Sequence, residues 1–118
     1  MSVARRLLGP DALVGGTARD AATARALVAA GASYLGVGPC FATATKTGLP
    51  DPIGLAGVAA VAAAVDVPII AIGGVRADQI AELRAVGAYG VAVVDAVSGA
   101  DDQAGAVRDL LRELVSSP

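Results

Sequence analysis

The stretch Tyr34-Leu-Gly-Val-Gly-Pro-Cys-Phe-Ala-Thr-Ala-Thr-Lys46 decides how the fold of this chain is interpreted. Its first five residues are typical of a short buried strand, and the residues from Pro39 onward are typical of a loop at the end of that strand. Thr43, Thr45 and Lys46 bring two hydroxyl groups and one ammonium group within four residues. Lys46 is also the only lysine of the chain, since every other basic residue is arginine. The loop is therefore predicted to bind phosphate.

Apolar runs and helical patterns alternate along the rest of the chain. The predicted strands are Leu13–Gly16, Tyr34–Gly38, Val67–Ile72 and Gly90–Val94. The predicted helices are 21–30, 55–65, 78–86 and a last one that begins near Asp101, while 1–8 is typical of the tail of a helix. Because the strands are continuous apolar runs, the pattern predicts an α/β fold whose parallel sheet is covered by helices. The helix 55–65 has no polar face, so its alanines are either covered on more than one side or tolerated at a surface.

Two architectures fit this pattern. A flavodoxin-like open sheet would need about five strands. A TIM (β/α)8 barrel would need eight, with the loops at its C-terminal face holding the site. The ends of the last two strands, Gly73-Gly74 and Asp95–Gly99, suit the barrel, of which the chain supplies half, as four strands and four helices. The likeness of 29–34 to 85–90 is explained either by duplicated βα units or by a common helix-to-strand turn.

Composition excludes several classes of function. The 118 residues make one domain, 1–118, and the longest uncharged run, 26–45, is interrupted by glycine and proline, so no membrane span is expected. The chain has no histidine and one cysteine, Cys40, which excludes Ser-His and Cys-His catalysis and the usual zinc sites. Cys40 is expected to be a small apolar filler, since no base is present to activate it. The net charge of −2 speaks against nucleic-acid binding, and no signal segment is recognisable, so a cytoplasmic location is expected.

Four motifs together resemble the second half of the thiamine phosphate synthases. They are Gly36-Val-Gly-Pro39, Thr43-Ala-Thr-Lys46, Ile72-Gly-Gly-Val75 and Gly90-Val-Ala-Val-Val94. The resemblance runs from about Leu7 to the C-terminus and implies the C-terminal half of an eight-stranded TIM barrel. It also implies a transferase of thiamine biosynthesis, which joins hydroxymethylpyrimidine diphosphate to thiazole phosphate with Mg²⁺ and releases diphosphate.

The resemblance implies roles for the hydroxyl and ammonium groups. Thr43, Thr45 and Lys46 match residues that hold the thiazole phosphate, and Lys46 also matches the catalytic contact to the departing diphosphate. Hydroxyl groups donate to phosphate oxygens, and a lysine places a compact positive charge where negative charge grows on the leaving group. Thr17 aligns with a serine that contacts the diphosphate, and a threonine hydroxyl can replace it.

Main-chain amides complete the site that the resemblance implies. Gly73 and Gly74 let backbone N–H groups approach an anion closely. Val94 and Asp95 occupy the second phosphate contact of the family. Asp95 replaces a serine there, and its carboxylate would repel a phosphate unless it points away or caps the next turn. Arg19 stands where many relatives have histidine, and it either adds positive charge to the active-site face or solvates the start of a helix.

The magnesium-holding aspartates of the family belong to the first half of its barrel, and no metal ligand is predicted in this chain. A half-barrel would also expose two strand edges and an apolar face. Either the chain is a piece of a longer protein, or a second copy or a complementary half closes the barrel. The expected partners are small phosphorylated substrates, with no nucleic acid and no membrane. Two other functions stay open: a phosphate-binding half-barrel without catalysis, and a relative of the thiazole tautomerases, against which the lack of histidine counts.

Overall fold

The computed structural model describes residues 2–41, 51–93 and 101–116, of which 115 and 116 are described by their backbone only. The elements in chain order are α1 (Ser2–Leu8), β1 (Gly15–Ala18), α2 (Ala21–Ala29), β2 (Tyr34–Val37), α3 (Gly54–Ala64), β3 (Ile69–Ala71), α4 (Ile80–Ala85), β4 (Gly90–Val91) and α5 (Gln103–Ser116). A single 3-10 turn, Ala77–Gln79, leads into α4. The described part of the chain therefore alternates between strands and helices, and a helix stands at each end.

The strands form one parallel sheet in the order β1-β2-β3-β4. Gly15 pairs with Tyr34, Leu35 pairs with Ile69, and each later pair keeps the same offset. A flavodoxin-like sheet would place its first strand between the second and the third. The sequential order is instead that of a TIM-like barrel, in which each strand lies beside the next one along the chain.

The predicted ends of three elements differ from the structure. The first strand begins at Gly15 rather than at Leu13, whose side chain is 84% exposed and lies before the first sheet pair. The last strand is assigned only to Gly90–Val91, although the Ala92 amide still donates to the carbonyl of Ala71 over 2.9 Å. The predicted helix 78–86 begins as the 3-10 turn and becomes α-helical only at Ile80.

The hydrophobic core lies between the sheet and its helices. Alternate residues of β2 and β3 face the helices and are buried, among them Leu35, Val37 and Ala71. Val58 and Val61 of α3 are fully buried in the same cluster. The alanines at 56, 60 and 63 of α3 are exposed, so this helix is buried along one stripe and its remaining alanines are tolerated at the surface.

The opposite face of the sheet is not covered by helices of the described residues. Tyr34, the first residue of β2, is 42% exposed on that face, and its ring lies where a Cβ atom at Gly15 would be. Gly36 points the same way, because its missing Cβ would lie 3.5 Å from Cδ1 of Ile72 and 3.9 Å from Oγ1 of Thr17. The described helices thus cover one face of the sheet, as in a barrel, whose helices form an outer ring.

The guanidinium group of Arg5 holds the C-terminal end of α1 against the turn that follows α2. Its nitrogen atoms donate to the carbonyl groups of Gly9, Ala12 and Gly31 and to Oγ of Ser33, over 2.7 to 3.1 Å. These five hydrogen bonds match the five N–H groups of the side chain. Ser33 in turn accepts from the amide of Val14, which leads into β1. One half-buried arginine fork therefore orients α1, β1 and β2 at the N-terminal end of the sheet.

The two similar segments of sequence fold into similar turns. The Ala32 amide donates to Leu27, and the Ala88 amide donates to Leu83, each over 3.0 Å. Both alanines are buried where a helix passes into the next strand. Duplication of βα units and a common turn both account for this likeness. Within the described ranges, no helix combines the length and the hydropathy that a membrane crossing requires.

Candidate functional site

The four strands end in one row at the C-terminal edge of the sheet. The row continues one residue past the strands through hydrogen bonds from Gly38 to Ala18 (3.1 Å), from Ile72 to Val37 (3.0 Å) and from Ala92 to Ala71 (2.9 Å). The segments that leave the strands therefore start side by side. In parallel α/β folds this edge is where ligands bind.

The segments that leave β2 and β3 are joined by their main chains. The amide of Cys40 donates to the carbonyl of Ile72, and the amide of Phe41 donates to the carbonyl of Gly73, each over 2.9 Å. A Cβ atom at Gly38 would overlap the carbonyl oxygen of Ile72. A side chain at Gly38 would therefore push the two segments apart, and the glycine is required for this contact.

The loop after β2 is closed at its base. The amide of Ile53 donates to the carbonyl of Pro39 over 2.8 Å, and the amide of Gly54 donates to the carbonyl of Cys40 over 2.9 Å. The described residues that flank the segment 42–50 therefore lie together beside the Ile72–Gly73 main chain. Three predicted site residues lie in this segment, outside the described residues: Thr43, Thr45 and Lys46.

Gly73 and Gly74 form the turn after β3. Their φ angles are +88° and +67°, in the region that favours glycine, and a Cβ atom at Gly73 would lie 2.8 Å from Cα of Pro39. The two glycines thus belong to the same contact as the loop after β2. Both lie at the C-terminal edge of the sheet, where the sequence placed them.

The beginning of α4 is poorly suited to bind an anion. The helix proper has six residues, and the preceding 3-10 turn is closed by a hydrogen bond from the Arg76 amide to Oε1 of Gln79 over 2.8 Å. The carboxylate of Asp78 lies at that turn, 3.4 Å from Nε of Arg76, and both side chains are exposed. A phosphate here would rely on amides of the glycine turn, because a carboxylate stands at the helix start.

Thr17 lies inside β1 rather than in the loop after it. Its side chain is on the open face of the sheet, opposite Gly36, and is exposed. Arg19 follows the strand at the C-terminal edge and is also exposed. The next residue, Asp20, caps α2 by accepting from the amide of Thr23 over 2.7 Å, and this hydrogen bond holds the pKa of Asp20 below its ordinary value. Both explanations of Arg19 are compatible with its position.

The Cys40 thiol is buried in the hydrophobic core rather than presented to a ligand. Its side chain has no exposed surface, and Sγ donates to the carbonyl of Val37 over 3.2 Å. Burial raises the pKa of the thiol, and a main-chain contact with Ile72 opposes that shift more weakly. A neutral thiol is a poor nucleophile. The interpretation of Cys40 as a small core residue agrees with this environment.

The remaining predicted residues are only partly tested. Val94 and Asp95 lie outside the described residues, which end here at Val93 beside the β3 exit. Within 2–41, 51–93 and 101–116, no three carboxylate, thiol or imidazole groups lie close enough to hold a metal ion. The described residues by themselves do not fit a magnesium site. Gly38 has a role that the sequence interpretation missed, although the Gly-Pro of its own motif signalled a constrained turn.

The sequential parallel sheet has helices on one face and neighbouring exit segments at its C-terminal edge, and these features define about half of a TIM-like (β/α) barrel. The family described as thiamine monophosphate synthase matches residues 1–97, and the chain belongs to that family.

Relatives of known name agree with this assignment. The chain is 60% identical over 114 residues to a thiamine-phosphate synthase of Salinispora tropica, covering 97% of this chain and 55% of the relative. It is 49% identical to the enzyme of that name from Moorella thermoacetica, covering 97% of this chain and 54% of the relative. Thiamine phosphate pyrophosphorylase from Pyrococcus furiosus superposes with a TM-score of 0.82 at 32% identity, over 97% of this chain and 54% of that one. The chain spans about half the length of the curated relatives it matches.

Proposed function

We propose that this chain forms the C-terminal half of a thiamine phosphate synthase, a transferase that forms a carbon–nitrogen bond. The observation that best supports this proposal is the pair of hydrogen bonds that joins the segments leaving β2 and β3. These hydrogen bonds bring the described residues that flank the segment 42–50 to the Gly73 turn. This supports the proposal that the hydroxyl and ammonium groups of Thr43, Thr45 and Lys46 act together with the amides of that turn. Family membership supports the same reaction.

The proposed reaction depends little on acid–base catalysis. In hydroxymethylpyrimidine diphosphate the carbon–oxygen bond breaks, and the bonding electron pair leaves with the diphosphate. A stabilised carbocation remains on the pyrimidine. The ring nitrogen of thiazole phosphate attacks that carbon and forms the new bond. Lys46 provides a positive charge that balances the negative charge of the departing diphosphate. Because the diphosphate leaves as an anion and needs no proton, no histidine is required. Such an interaction is worth roughly 1 kcal/mol in bulk water and about 4 kcal/mol at intermediate dielectric, so excluding solvent strengthens the site.

The other predicted contacts serve binding. Thr43 and Thr45 would donate to the thiazole phosphate together with amides of Gly73 and Gly74. The exposed hydroxyl of Thr17 would face the diphosphate from the open side of the sheet. Val94 and Asp95 would add main-chain amides from the segment after β4. Magnesium is expected for the whole enzyme, and the described residues do not fit a site for it.

A phosphate-binding half-barrel without catalysis is the second candidate. The chain spans 55% of the Salinispora tropica relative, and the donors above make up one side of a site. In that case the isolated chain would bind thiazole phosphate without turnover. The proposed partner for turnover is a complementary half of the barrel. A cytoplasmic location stays a prediction.

The substitution Lys46→Ala tests the assigned role of the loop. We expect the affinity of the chain for thiazole phosphate or inorganic diphosphate, measured by calorimetry, to fall at least about fivefold, which corresponds to roughly 1 kcal/mol. Arg25→Ala removes an exposed positive charge from α2, on the helix side of the sheet, and is the matched control. Unchanged affinity of Lys46→Ala for both ligands would overturn the role of this lysine.

A further inference from the structure

The guanidinium group of Arg76 uses little of its capacity to donate hydrogen bonds. Its Nε atom donates to Oδ1 of Asp78 over 3.4 Å, and the side chain has no other hydrogen bond within the described residues. Arg5, by contrast, donates five hydrogen bonds that hold α1 in place. The side chains of Arg76 and Asp78 are 66% and 70% exposed, and an exposed pair of this kind contributes little to stability. The fork of Arg76 is therefore available to a ligand.

The main chain of Arg76 is held in place although its side chain is exposed. Val75, the preceding residue, is 4% exposed and belongs to the hydrophobic core. The amide of Arg76 donates to Oε1 of Gln79 over 2.8 Å, and its carbonyl accepts from the amide of Gln79 over 3.0 Å. These contacts fix the Cα atom of Arg76 beside the turn after β3, while the guanidinium group stays in solvent.

The turn that precedes Arg76 offers main-chain donors. The φ angles of Gly73 and Gly74 are +88° and +67°, and their amides donate to no acceptor within the described residues. Successive amides in a turn can form a concave site for an anion. Two residues of chain span at most about 7 Å, so the Cα atoms of Gly74 and Arg76 lie within that distance of each other. The guanidinium group can therefore reach an anion that these two amides hold.

Arg19 is less well placed for an anion at this turn. It follows β1, which is separated from β3 by β2, and neighbouring strands lie about 4.8 Å apart. The strand ends that lead to Arg19 and Arg76 are therefore roughly 10 Å apart along the edge of the sheet. Of these two exposed arginines, Arg76 is the one that belongs to the glycine turn.

We propose that Arg76 binds the phosphate group of the thiazole substrate at the Gly73-Gly74 turn and makes the site selective for the phosphate monoester over the free alcohol. The guanidinium group exchanges the carboxylate of Asp78 for the phosphate, which can accept two parallel N–H bonds from the fork. The free alcohol has no negative charge to replace that carboxylate. This assignment rests on the proposed function, because it adds a donor to the same phosphate site.

Calorimetry with inorganic phosphate, thiazole phosphate and the unphosphorylated thiazole alcohol tests the proposal. We expect Arg76→Ala to bind both phosphates at least about fivefold more weakly than the unmodified chain does, and to bind the alcohol equally. Arg76→Lys keeps the charge but not the planar fork, so it should recover only part of the lost affinity. Because the side chain of Arg76 is exposed, thermal unfolding should stay the same in both variants.

Arg112→Ala is the matched control. Arg112 is also exposed and lies 3.2 Å from a carboxylate oxygen of Asp109, but it stands in the second half of α5. Its removal takes away the same charge and should leave the affinity for all three ligands unchanged. Equal losses for Arg76→Ala and Arg112→Ala would show an effect of net charge alone and would overturn the assignment.

Asp78→Asn tests the exchange of partners. We expect it to tighten the binding of inorganic phosphate at least about twofold when Arg76 is present, and to have a smaller effect in the Arg76→Ala background, because Asp78 acts through the guanidinium group. An equal gain in both backgrounds would overturn the exchange.

The results for the two phosphates separate this assignment from the proposed function. Unchanged phosphate affinity of Arg76→Ala would overturn the role of Arg76, even if the unmodified chain binds thiazole phosphate. The absence of phosphate binding by the unmodified chain would overturn that role as well. If inorganic phosphate depends on Arg76 and thiazole phosphate binds no more tightly than inorganic phosphate, the proposed function is contradicted and the role of Arg76 stands.

Discussion

The amide of Cys40 donates to the carbonyl of Ile72 over 2.9 Å, and this hydrogen bond joins the loop after β2 to the turn after β3. The two segments are separated by more than 30 residues of sequence, including all of α3. Their contact turns two separate strand ends into one surface. The candidate phosphate site depends on that surface more than on any single described side chain.

Replacing Gly38 by alanine tests this contact. The new Cβ atom would overlap the carbonyl oxygen of Ile72, a main-chain atom that cannot rotate away. We expect the free energy of unfolding, measured by urea denaturation, to fall by about 1–3 kcal/mol. The affinity for thiazole phosphate should fall as well, because the two loops move apart.

Gly36→Ala is the matched control for that substitution. Its Cβ atom would lie 3.5 Å from Cδ1 of Ile72, which is an ordinary contact. We expect stability to stay within about 0.5 kcal/mol of the unmodified chain. Equal effects of the Gly36 and Gly38 substitutions would show that the contact between the two segments is not the cause.

Arg5→Lys tests the anchor of α1. Lysine keeps the positive charge but has a single ammonium group in place of the planar fork that reaches Gly9, Ala12, Gly31 and Ser33. We expect a loss of about 2 kcal/mol in the free energy of unfolding, within the range for hydrogen bonds to charged groups. Arg6→Lys changes an exposed neighbour and should cost less than about 0.5 kcal/mol. Indistinguishable unfolding midpoints for these two variants would refute the anchor.

Asp20 predicts a pH dependence of stability. The hydrogen bond from the Thr23 amide lowers the pKa of Asp20 in the folded chain below its reference value of 3.8. A carboxyl group of this kind stabilises the fold above its unfolded pKa, and that contribution is lost as the pH falls through the folded pKa. Asp20→Asn keeps a capping oxygen but cannot titrate, so its stability should fall less steeply below about pH 4.

The control for this measurement is the urea unfolding of both chains at pH 7. There the Asp20→Asn substitution should cost little stability, because an asparagine oxygen can also accept from the Thr23 amide. If the Asp20→Asn and unmodified chains lose stability in parallel between about pH 5 and pH 3, the cap does not contribute to acid unfolding.

The thiol of Cys40 should react slowly in the folded chain. The thiol is buried, so a reagent has poor access to it. Burial also raises its pKa, so little of it is present as the reactive thiolate. We expect its reaction with a thiol-specific disulfide reagent at pH 8 to be at least about tenfold slower than in the urea-unfolded chain. Similar rates in the two states would mean that the part of the core around Cys40 opens readily.

The sequence predicted the alternation of elements because each strand is a continuous apolar run between helical patterns. The four expected strands are present among the described residues. The ends of β1 and α4 were missed, because the pairing of Gly15 with Tyr34 and the 3-10 turn depend on tertiary contacts that composition does not report.

The sequence predicts a site at the C-terminal edge of the sheet, where Gly73 and Gly74 lie, but it does not predict how that edge is built. Glycine pairs and a Thr-Ala-Thr-Lys loop after strands pointed to the C-terminal edge of the sheet. The role of Gly38 could not be derived from its own motif, because it depends on a carbonyl group 34 positions later, at Ile72. Main-chain contacts of this kind carry no side-chain signal in a sequence.

Turnover by the reconstituted barrel tests the central claim most directly. The chain is combined with the first-half segment of the Salinispora tropica relative, the complex is purified, and both substrates are added with Mg²⁺. The proposed function predicts thiamine phosphate from the complex, none from either half alone, and a loss of at least about tenfold with Lys46→Ala. A purified complex that forms no thiamine phosphate, under conditions in which the full-length relative does, would contradict it.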